Sequence, residues 1–136
     1  MKRDVLTDAV RRTAEDLGYA FHAGPDRLIP ARVFSLPAIW LSPAKLKSHQ
    51  SRRECVDTYQ IGLYLMTASV PGTRENSEPL WALLESDAAE IFSRLPAERN
   101  IRRTHGLKCS PVVAAFTKAG EIAVEAEMCV ELHYCK

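Results

Sequence analysis

The stretch EIAVEAEMCVELHYC (Glu121–Cys135) alternates apolar and polar residues along its whole length. Side chains of a β-strand point alternately to its two faces, so this pattern predicts a strand with one buried and one polar face. At roughly 3.3 Å per residue the strand would run about 45 Å, and we expect it to overhang its own core and contact a neighbour. The predicted apolar face comprises Ile122, Val124, Ala126, Met128, Val130, Leu132 and Tyr134.

The segment before this strand completes a predicted β-hairpin. Leu107–Thr117 precedes the short connection Lys118-Ala119-Gly120, and a three-residue connection fixes how the two strands pair. This register is preferred over a one-residue slip because it places apolar residues on one face. The predicted pairs are Thr117 with Glu121, Phe116 with Ile122, Ala114 with Val124, Val112 with Ala126, and Cys109 with Cys129.

Hydrophobic periodicity upstream predicts two helices and several further strands. One helix covers Arg3–Leu17 and ends at Gly18, and a second begins at the N-cap Ser77 and ends at Pro96. The polar, basic segment Ser42–Arg53 is predicted to be a long exposed loop or hairpin tip. The predicted extended segments are Tyr19–Ala23, Leu28–Val33, Ala38–Leu41 and Glu54–Ala68.

The coarse element order is α-β-β-β-α-β-β, which predicts a single α+β domain over residues 1–136. Two amphipathic helices would cover one face of a mainly antiparallel sheet in a two-layer arrangement. With 46% hydrophobic and 26% charged residues, the composition is that of an ordinary folded domain. No apolar run is long enough to span a membrane, and the N-terminus MKRDVLTDAVRR lacks the apolar core of a signal peptide, so we expect a cytoplasmic protein without a membrane partner.

The formal net charge is only +1, which argues against a dedicated nucleic-acid binder. The total conceals alternating blocks of +5 in residues 1–53, −6 in 54–98, +5 in 99–120 and −3 in 121–136. Such blocks fit surfaces that meet within one fold or on neighbouring subunits, and ordinary solvated faces are the alternative.

Residues that carry chemistry give no positive case for an enzyme. Glu125 and Glu127 share a strand face and make a paired-carboxylate site conceivable, but an evenly spaced acidic stripe is more typical of a solvated or interface surface. Cys129 and Cys135 lie roughly 20 Å apart along the strand, too far to share a metal ion, so the roles of both and of His133 stay open. We therefore expect no catalytic residues, no cofactor and no metal.

Two basic segments are predicted to contact subunits or partner proteins, with phosphate contacts as the alternative. Neither contains the interleaved aromatic residues that stack on bases. The predicted interface residues are Lys45, Lys47, Arg52, Arg53, Arg99, Arg102 and Arg103.

Three stretches together carry a resemblance to a known family: DTYQIGLYLM (57–66), PLWALLESDAAEIFSRL (79–95) and GEIAVEAEMCVELHYC (120–135). In order and style of elements the chain resembles the small tail-terminator or tail-completion (head–tail joining) proteins of tailed bacteriophages. The resemblance implies an α+β virion protein without enzymatic activity, assembled in the host cytoplasm. It further implies a homo-oligomeric, hexameric ring that joins the tail tube to the head connector while DNA passes through.

The charge pattern suggests how such a ring would be built. A head-to-tail ring requires one surface to complement a different surface of the next copy, as alternating charge blocks allow. The acidic strand face is predicted to line the DNA conduit, through Glu121, Glu125, Glu127 and Glu131. The alternative function is a small α+β adaptor or binding domain that recruits a protein partner by strand-edge pairing.

Overall fold

A computed structural model of the chain describes residues 2–33, 35–50, 55–69, 77–112, 115–116 and 120–134. Within these ranges the chain has the predicted α+β fold, with one mostly antiparallel sheet and three helices. The helices are α1 (Lys2–Asp16), α2 (Ile29–Arg32) and α3 (Glu78–Arg94). The strands are β1 (Ala20–Ala23), β2 (Ala38–Leu41), β3 (Lys45–Gln50), β4 (Val56–Thr67), β5 (Ile101–Val112) and β6 (Ile122–His133).

The sheet has the strand order β1-β2-β4-β6-β5, and β3 also pairs with β4. Only the β1–β2 pair is parallel among the described strands. Strands β2 and β3 follow each other along the same edge of β4, so 38–50 forms one long strand interrupted at Ser42-Pro43-Ala44. Proline has no N–H to donate, which explains a break in the ladder at Pro43, while the Ser42 N–H still bonds to the Gly62 carbonyl at 3.0 Å.

Helices α1 and α3 cover one face of the sheet. The apolar stripe of α1 is buried there. Helix α1 ends at Asp16, and Gly18 follows two residues later with a φ of 92°, which suits a glycine beyond a helix C-terminus. Helix α3 buries Leu84, Ala88 and Ile91, but Leu83, which helical spacing predicts on the same apolar stripe, is 53% exposed. The predicted apolar face of β6 lies in this core together with alternate residues of β4. The core includes Leu6, Val10, Tyr59, Ile61, Leu63, Leu65, Leu84, Ile91, Val124, Met128 and Val130.

Among the described residues, the opposite face of the sheet is covered at one end, by α2 and the segments beside it. Ile29 and Val33 pack there against Trp40 and Met66 in a second, smaller core. The prediction of an extended segment over Leu28–Val33 is wrong, because this stretch is helical. Pro30 stands in the first turn of α2, where its fixed φ favours a helix start.

The predicted loop over Ser42–Arg53 is also wrong where the structure describes it, because Lys45–Gln50 is strand β3. Arg52 and Arg53 lie outside the described residues. Likewise, the basic segment Arg99–His105 is not a loop for most of its length, since β5 begins at Ile101 and not at Leu107.

The predicted hairpin register is wrong as well. Val112 pairs with Ala123 and not with Ala126, which faces Cys109. Two irregularities in β5 shift the pairing, between Ile101 and Arg103 and between His105 and Lys108. Gly106, with φ of 72°, lies within the second of them, and a regular ladder cannot anticipate such a bulge.

The corrected register places Cys129 opposite His105. Phe116 is not in the ladder, because its backbone N–H donates to the Glu121 carboxylate and its ring packs edge-on against Tyr64 with 4.8 Å between centroids. The predicted pairs of Ala114 and Thr117 lie outside the described residues. Among the described helices, none combines the length and apolar character needed to cross a membrane.

Candidate functional site on the uncovered sheet face

Helices α1 and α3 cover one face of the sheet, and α2 covers one end of the other face. We call the rest of that second face the uncovered face, and it is polar. Residues paired across antiparallel strands point to the same side, so the register identifies its members. They form cross-strand rows in which β6 lies between β4 and β5. The members are Lys45 and Ser48 of β3, Thr58, Gln60, Gly62 and Tyr64 of β4, Arg103, His105, Lys108 and Ser110 of β5, and Glu125, Glu127, Cys129 and Glu131 of β6.

Glu131 is the most enclosed acid on this face. Its side chain is only 7% exposed and forms an ion pair with Arg103, its cross-strand partner on β5. Arg102 Nη1 lies 3.8 Å and His105 Nε2 lies 3.4 Å from the same carboxylate. Its charge is therefore neutralised by the neighbouring strand and is not presented to solvent.

Glu121, just before β6, is also buried, with 4% of its surface exposed. Its carboxylate accepts the backbone N–H of Phe116, five residues earlier in the chain. This bond closes part of the connection between β5 and β6. Two of the four glutamates predicted to form an exposed acidic stripe are thus enclosed by their own fold.

Glu125 and Glu127 are the glutamates that reach a cavity, of about 310 Å³, at the edge of the uncovered face. Lys45, Gln60 and Tyr64 line the same cavity from the neighbouring strands. Burial raises the pKa of Glu125, and its hydrogen bond with Glu127 raises it further, while a bond with Tyr64 acts in the opposite direction. Burial, with the nearby Glu125 charge, raises the pKa of Tyr64 to about 12.

Cations stand beside the acids of this face in the adjacent strand. Lys108 is opposite Glu127, as Arg103 is opposite Glu131, and both cations are exposed. Opposite charges directly across a sheet attract. Because these cations stand beside the acids, the face is close to charge balance and is not an acidic stripe. Sequence reasoning missed Lys108 because only the correct register places it beside Glu127.

The structure separates the predicted basic residues. Lys45 and Arg103 lie on the uncovered face together with the acids, whereas Lys47 lies at the irregularity of β3. Arg99 is exposed before β5, and Arg102 lies at the irregularity where β5 begins. Arg52 and Arg53 are outside the described residues.

No ligand set for a metal emerges among the described residues, where three or more His, Cys, Asp or Glu side chains nowhere converge. Cys129 is a half-buried free thiol on the uncovered face, and His133 is exposed at the end of β6. Cys135 lies outside the described residues. The cavity is a polar cleft lined by three carboxylates, Asp26, Glu125 and Glu127, and by Lys45.

Of the strands with an outer edge, β1, β3 and β5, the last two carry features that discourage pairing with another strand. Strand β3 is irregular between Leu46 and Ser48 and carries two lysines. Strand β5 has two irregularities, several exposed cations and Pro111. Bulges, lysines and proline at sheet edges are common means of preventing strand addition.

In a second charged cluster, Lys2 and Tyr134, near the two ends of the described chain, contact residues of β3 and β4. Asp57 of β4, 2% exposed, accepts hydrogen bonds from Lys2 Nζ at 2.8 Å and from the His49 ring. Lys2 Nζ lies 4.0 Å from the centroid of the Tyr134 ring, on which His49 also stacks. Burial opposes the charge of Asp57, but the bonds from Lys2 and His49 outweigh it and hold its pKa below the ordinary value.

No protein-family model matches this chain, and a search of curated proteins finds no similar sequence. Its function is therefore inferred from its own residues and geometry.

Proposed function

We propose that the protein is a non-enzymatic structural subunit of a tailed-phage virion, a tail-terminator or tail-completion protein. Its copies would form a homo-oligomeric ring, hexameric by the family resemblance, that joins the tail tube to the head connector. DNA would pass through the ring without being bound specifically. The protein would be assembled in the host cytoplasm and would not require a membrane.

The observation that carries the proposal is the uncovered face. Long strands present a polar surface on the side of the sheet away from α1 and α3, and its carboxylates stand beside cations on the next strand. Non-specific DNA binding depends mainly on cations that neutralise phosphates. A surface whose cations are already balanced by Glu127 and Glu131 suits a passage along which DNA slides.

This refines the role predicted for the acidic residues. Glu121 and Glu131 are enclosed, so Glu125 and Glu127 are the acids of that set with side chains that reach the cavity. In the proposed conduit, the carboxylates of Glu125 and Glu127 would prevent Lys45 and Lys108 from binding the phosphate backbone of DNA. Substitution of Glu125 and Glu127, and not substitution of Glu121, would change how strongly this surface binds DNA.

The ring itself is tested by measuring the mass of the protein in solution and imaging it by negative stain, alone and with tail tubes. Sixfold rings, free or seated on tubes, support the proposal. A stable dimer that forms no rings under either condition contradicts it and favours the adaptor function. The irregularities of β3 and β5 weigh against an adaptor that pairs with a partner strand at either of these two edges.

The conduit is tested with the double variant Glu125→Lys, Glu127→Lys. We expect the wild-type protein to show little retention on double-stranded DNA and the variant to gain salt-sensitive binding. Glu15→Lys with Asp16→Lys, at exposed positions on α1, is the matched control for added positive charge. Tight DNA binding by the wild-type protein, or equal gains in both variants, would count against a conduit on this face.

A further inference from the structure

We propose that a disulfide bond between Cys55 and Cys135 is a redox-controlled latch, which fastens the C-terminal end of the chain to the start of β4. The bond is closed in oxidising surroundings and open where thiols are kept reduced. The inference concerns how one end of the fold is held, and it stands whether or not the proposed function holds.

The cysteines of the chain divide into free and bonded residues. Cys109 and Cys129 are free thiols, whereas Cys55 is disulfide-bonded. The chain has four cysteines in all, so Cys135 is the one left to pair with Cys55.

The backbone beside Cys55 also points to this partner. The pairing of β4 with β6 reaches Val56 and His133, and the Tyr134 N–H then donates to the Cys55 carbonyl at 3.0 Å. Consecutive Cα atoms are about 3.8 Å apart, and a disulfide joins residues whose Cα atoms lie about 4.4–6.8 Å apart. The residue that follows Tyr134 in the sequence is thus within reach of Cys55 by covalent geometry.

Cys55 has an unusual backbone conformation. Its φ is 51°, in the left-handed region that residues other than glycine rarely adopt. Such a conformation persists where the surrounding structure holds it in place. The hydrogen bond from Tyr134 and the disulfide both restrain Cys55, which is buried.

The latch lies beside the charged cluster around Asp57. The Tyr134 ring stacks on His49 of β3 with 5.6 Å between centroids, and Lys2 Nζ of α1 lies 4.0 Å from the centroid of the same ring. Both Lys2 and His49 bond to Asp57 of β4. Opening the disulfide removes a covalent restraint next to Tyr134, and the contacts of its ring with α1 and β3 should loosen.

Opening the latch is a thiol–disulfide exchange. A thiolate of a dithiol reductant attacks one sulfur of the bond, and the other protein sulfur leaves as a thiolate that takes up a proton. The second thiol of the reductant then releases the remaining protein cysteine, so the protein gains two electrons and two protons and the reductant becomes a disulfide. Closing is the reverse exchange with a disulfide oxidant such as oxidised glutathione. Because Cys55 is buried, this exchange is slow, and the latch persists once it has formed.

Peptide mapping without reductant tests the pairing. Wild-type protein is incubated with oxidised glutathione, its free thiols are alkylated, and a glutamyl endopeptidase separates Cys129 from Cys135 by cleavage after Glu131. We expect one linked pair of peptides, which carry Cys55 and Cys135, and alkylated Cys109 and Cys129. A map in which Cys55 is alkylated, or is linked to another cysteine, would overturn the inference.

Hydrogen exchange of the Tyr134 amide tests the latch in the folded protein. We expect this amide to exchange at least tenfold faster in dithiothreitol than in oxidised glutathione, because the closed bond restrains the adjacent backbone. The Gly24 amide, which bonds to the Leu41 carbonyl at 3.1 Å, is the control and should exchange at the same rate in both states. Equal rates for Tyr134 in the two states would contradict a latch even where the disulfide forms.

Thermal unfolding of matched serine variants separates this bond from other effects of reduction. The bond closes the long loop between residues 55 and 135 and restricts the unfolded chain, so reduction should lower the Tm of the wild type by about 10 °C. Cys135→Ser should have the lower Tm with or without reductant. Cys129→Ser, which removes a half-buried free thiol of β6, should respond to reductant as the wild type does. A response to reductant that survives in Cys135→Ser, or that is lost in Cys129→Ser, would refute the assignment of the bond.

Discussion

The two faces of β4 differ in role, because one contributes to the stability of the fold and the other to its polar surface. Ile61, Leu63 and Leu65 point toward α1 and α3 and are fully buried, whereas Gln60 and Tyr64 point to the uncovered face and are half-buried. Neighbouring residues in the sequence therefore belong to different environments. Substitutions on the covered face should act on folding, and substitutions on the uncovered face should act mainly on what the protein contacts.

Leu63→Ala tests the covered face of β4 and should have the largest effect on the free energy of unfolding. Leu63 is completely buried, so truncation removes apolar contact and leaves a cavity, at a cost of about 3 kcal/mol. Gln60→Ala, three residues earlier on the other face, should change the free energy of unfolding by less than about 0.5 kcal/mol. Denaturant unfolding of both variants measures the difference, and equal losses would show that the two faces do not differ as described.

Asp57→Asn tests the charged cluster on the covered side. The substitution removes the carboxylate that pairs with Lys2 and His49, and we expect a loss of about 1–3 kcal/mol because buried groups lose hydrogen bonds to a charge. Glu15→Gln, at an exposed position on α1, is the control and should be close to neutral. Equal stabilities of the two variants would contradict a stabilising role for the cluster.

The pH dependence of this effect has a defined sign. The pKa of Asp57 is lower in the folded protein than its ordinary value of 3.8. Its contribution is thus present above about pH 4 and is lost as pH falls through the folded-state pKa. Unfolding measured between pH 2 and pH 6 should show a steeper acid loss for the wild type than for Asp57→Asn, and parallel curves would contradict the assignment.

Periodicity alone predicted the elements with long, regular patterns. The helices α1 and α3 and the strands β4 and β6 follow from spacings of 3.6 and 2 residues, and they set the α+β class. Two of the wrong predictions fall where one residue changes the local backbone. Pro30 starts a helical turn in a stretch predicted as extended, and Gly106 lies in the bulge that shifts the hairpin register.

The candidate site was predictable only in part, for the same reason. That Glu125, Glu127 and Glu131 share a face follows from period two in β6. That Glu131 is the enclosed one depends on Arg103 in another strand, and hence on a register shifted by bulges. Cross-strand neighbours cannot be found from one strand's sequence when the pairing is irregular.

Glu131→Gln tests the acid that β5 encloses on the uncovered face. The amide keeps the shape but loses the charge that pairs with Arg103, and we expect a loss of about 1 kcal/mol because Arg103 itself stays exposed to water. Glu127→Gln, four residues earlier in β6 and less buried, is the matched control and should cost less. Denaturant unfolding at neutral pH measures both, and a larger loss for Glu127→Gln would show that enclosure by β5 does not stabilise Glu131.

Glu125→Gln should have the smallest effect and a sign opposite to that of Asp57→Asn. The raised pKa of Glu125 means that the folded protein favours its neutral form. The stabilising contribution of that form is complete below the ordinary carboxyl pKa and is lost as pH rises through the folded-state value. Glutamine is neutral at every pH, so the variant should match the wild type in acid and exceed it by a few tenths of a kcal/mol at pH 7.5. Unfolding at pH 4 and pH 7.5 measures the gap, and a variant that is less stable by the same amount at both values would mean that Glu125 contributes through its hydrogen bonds and not through its charge.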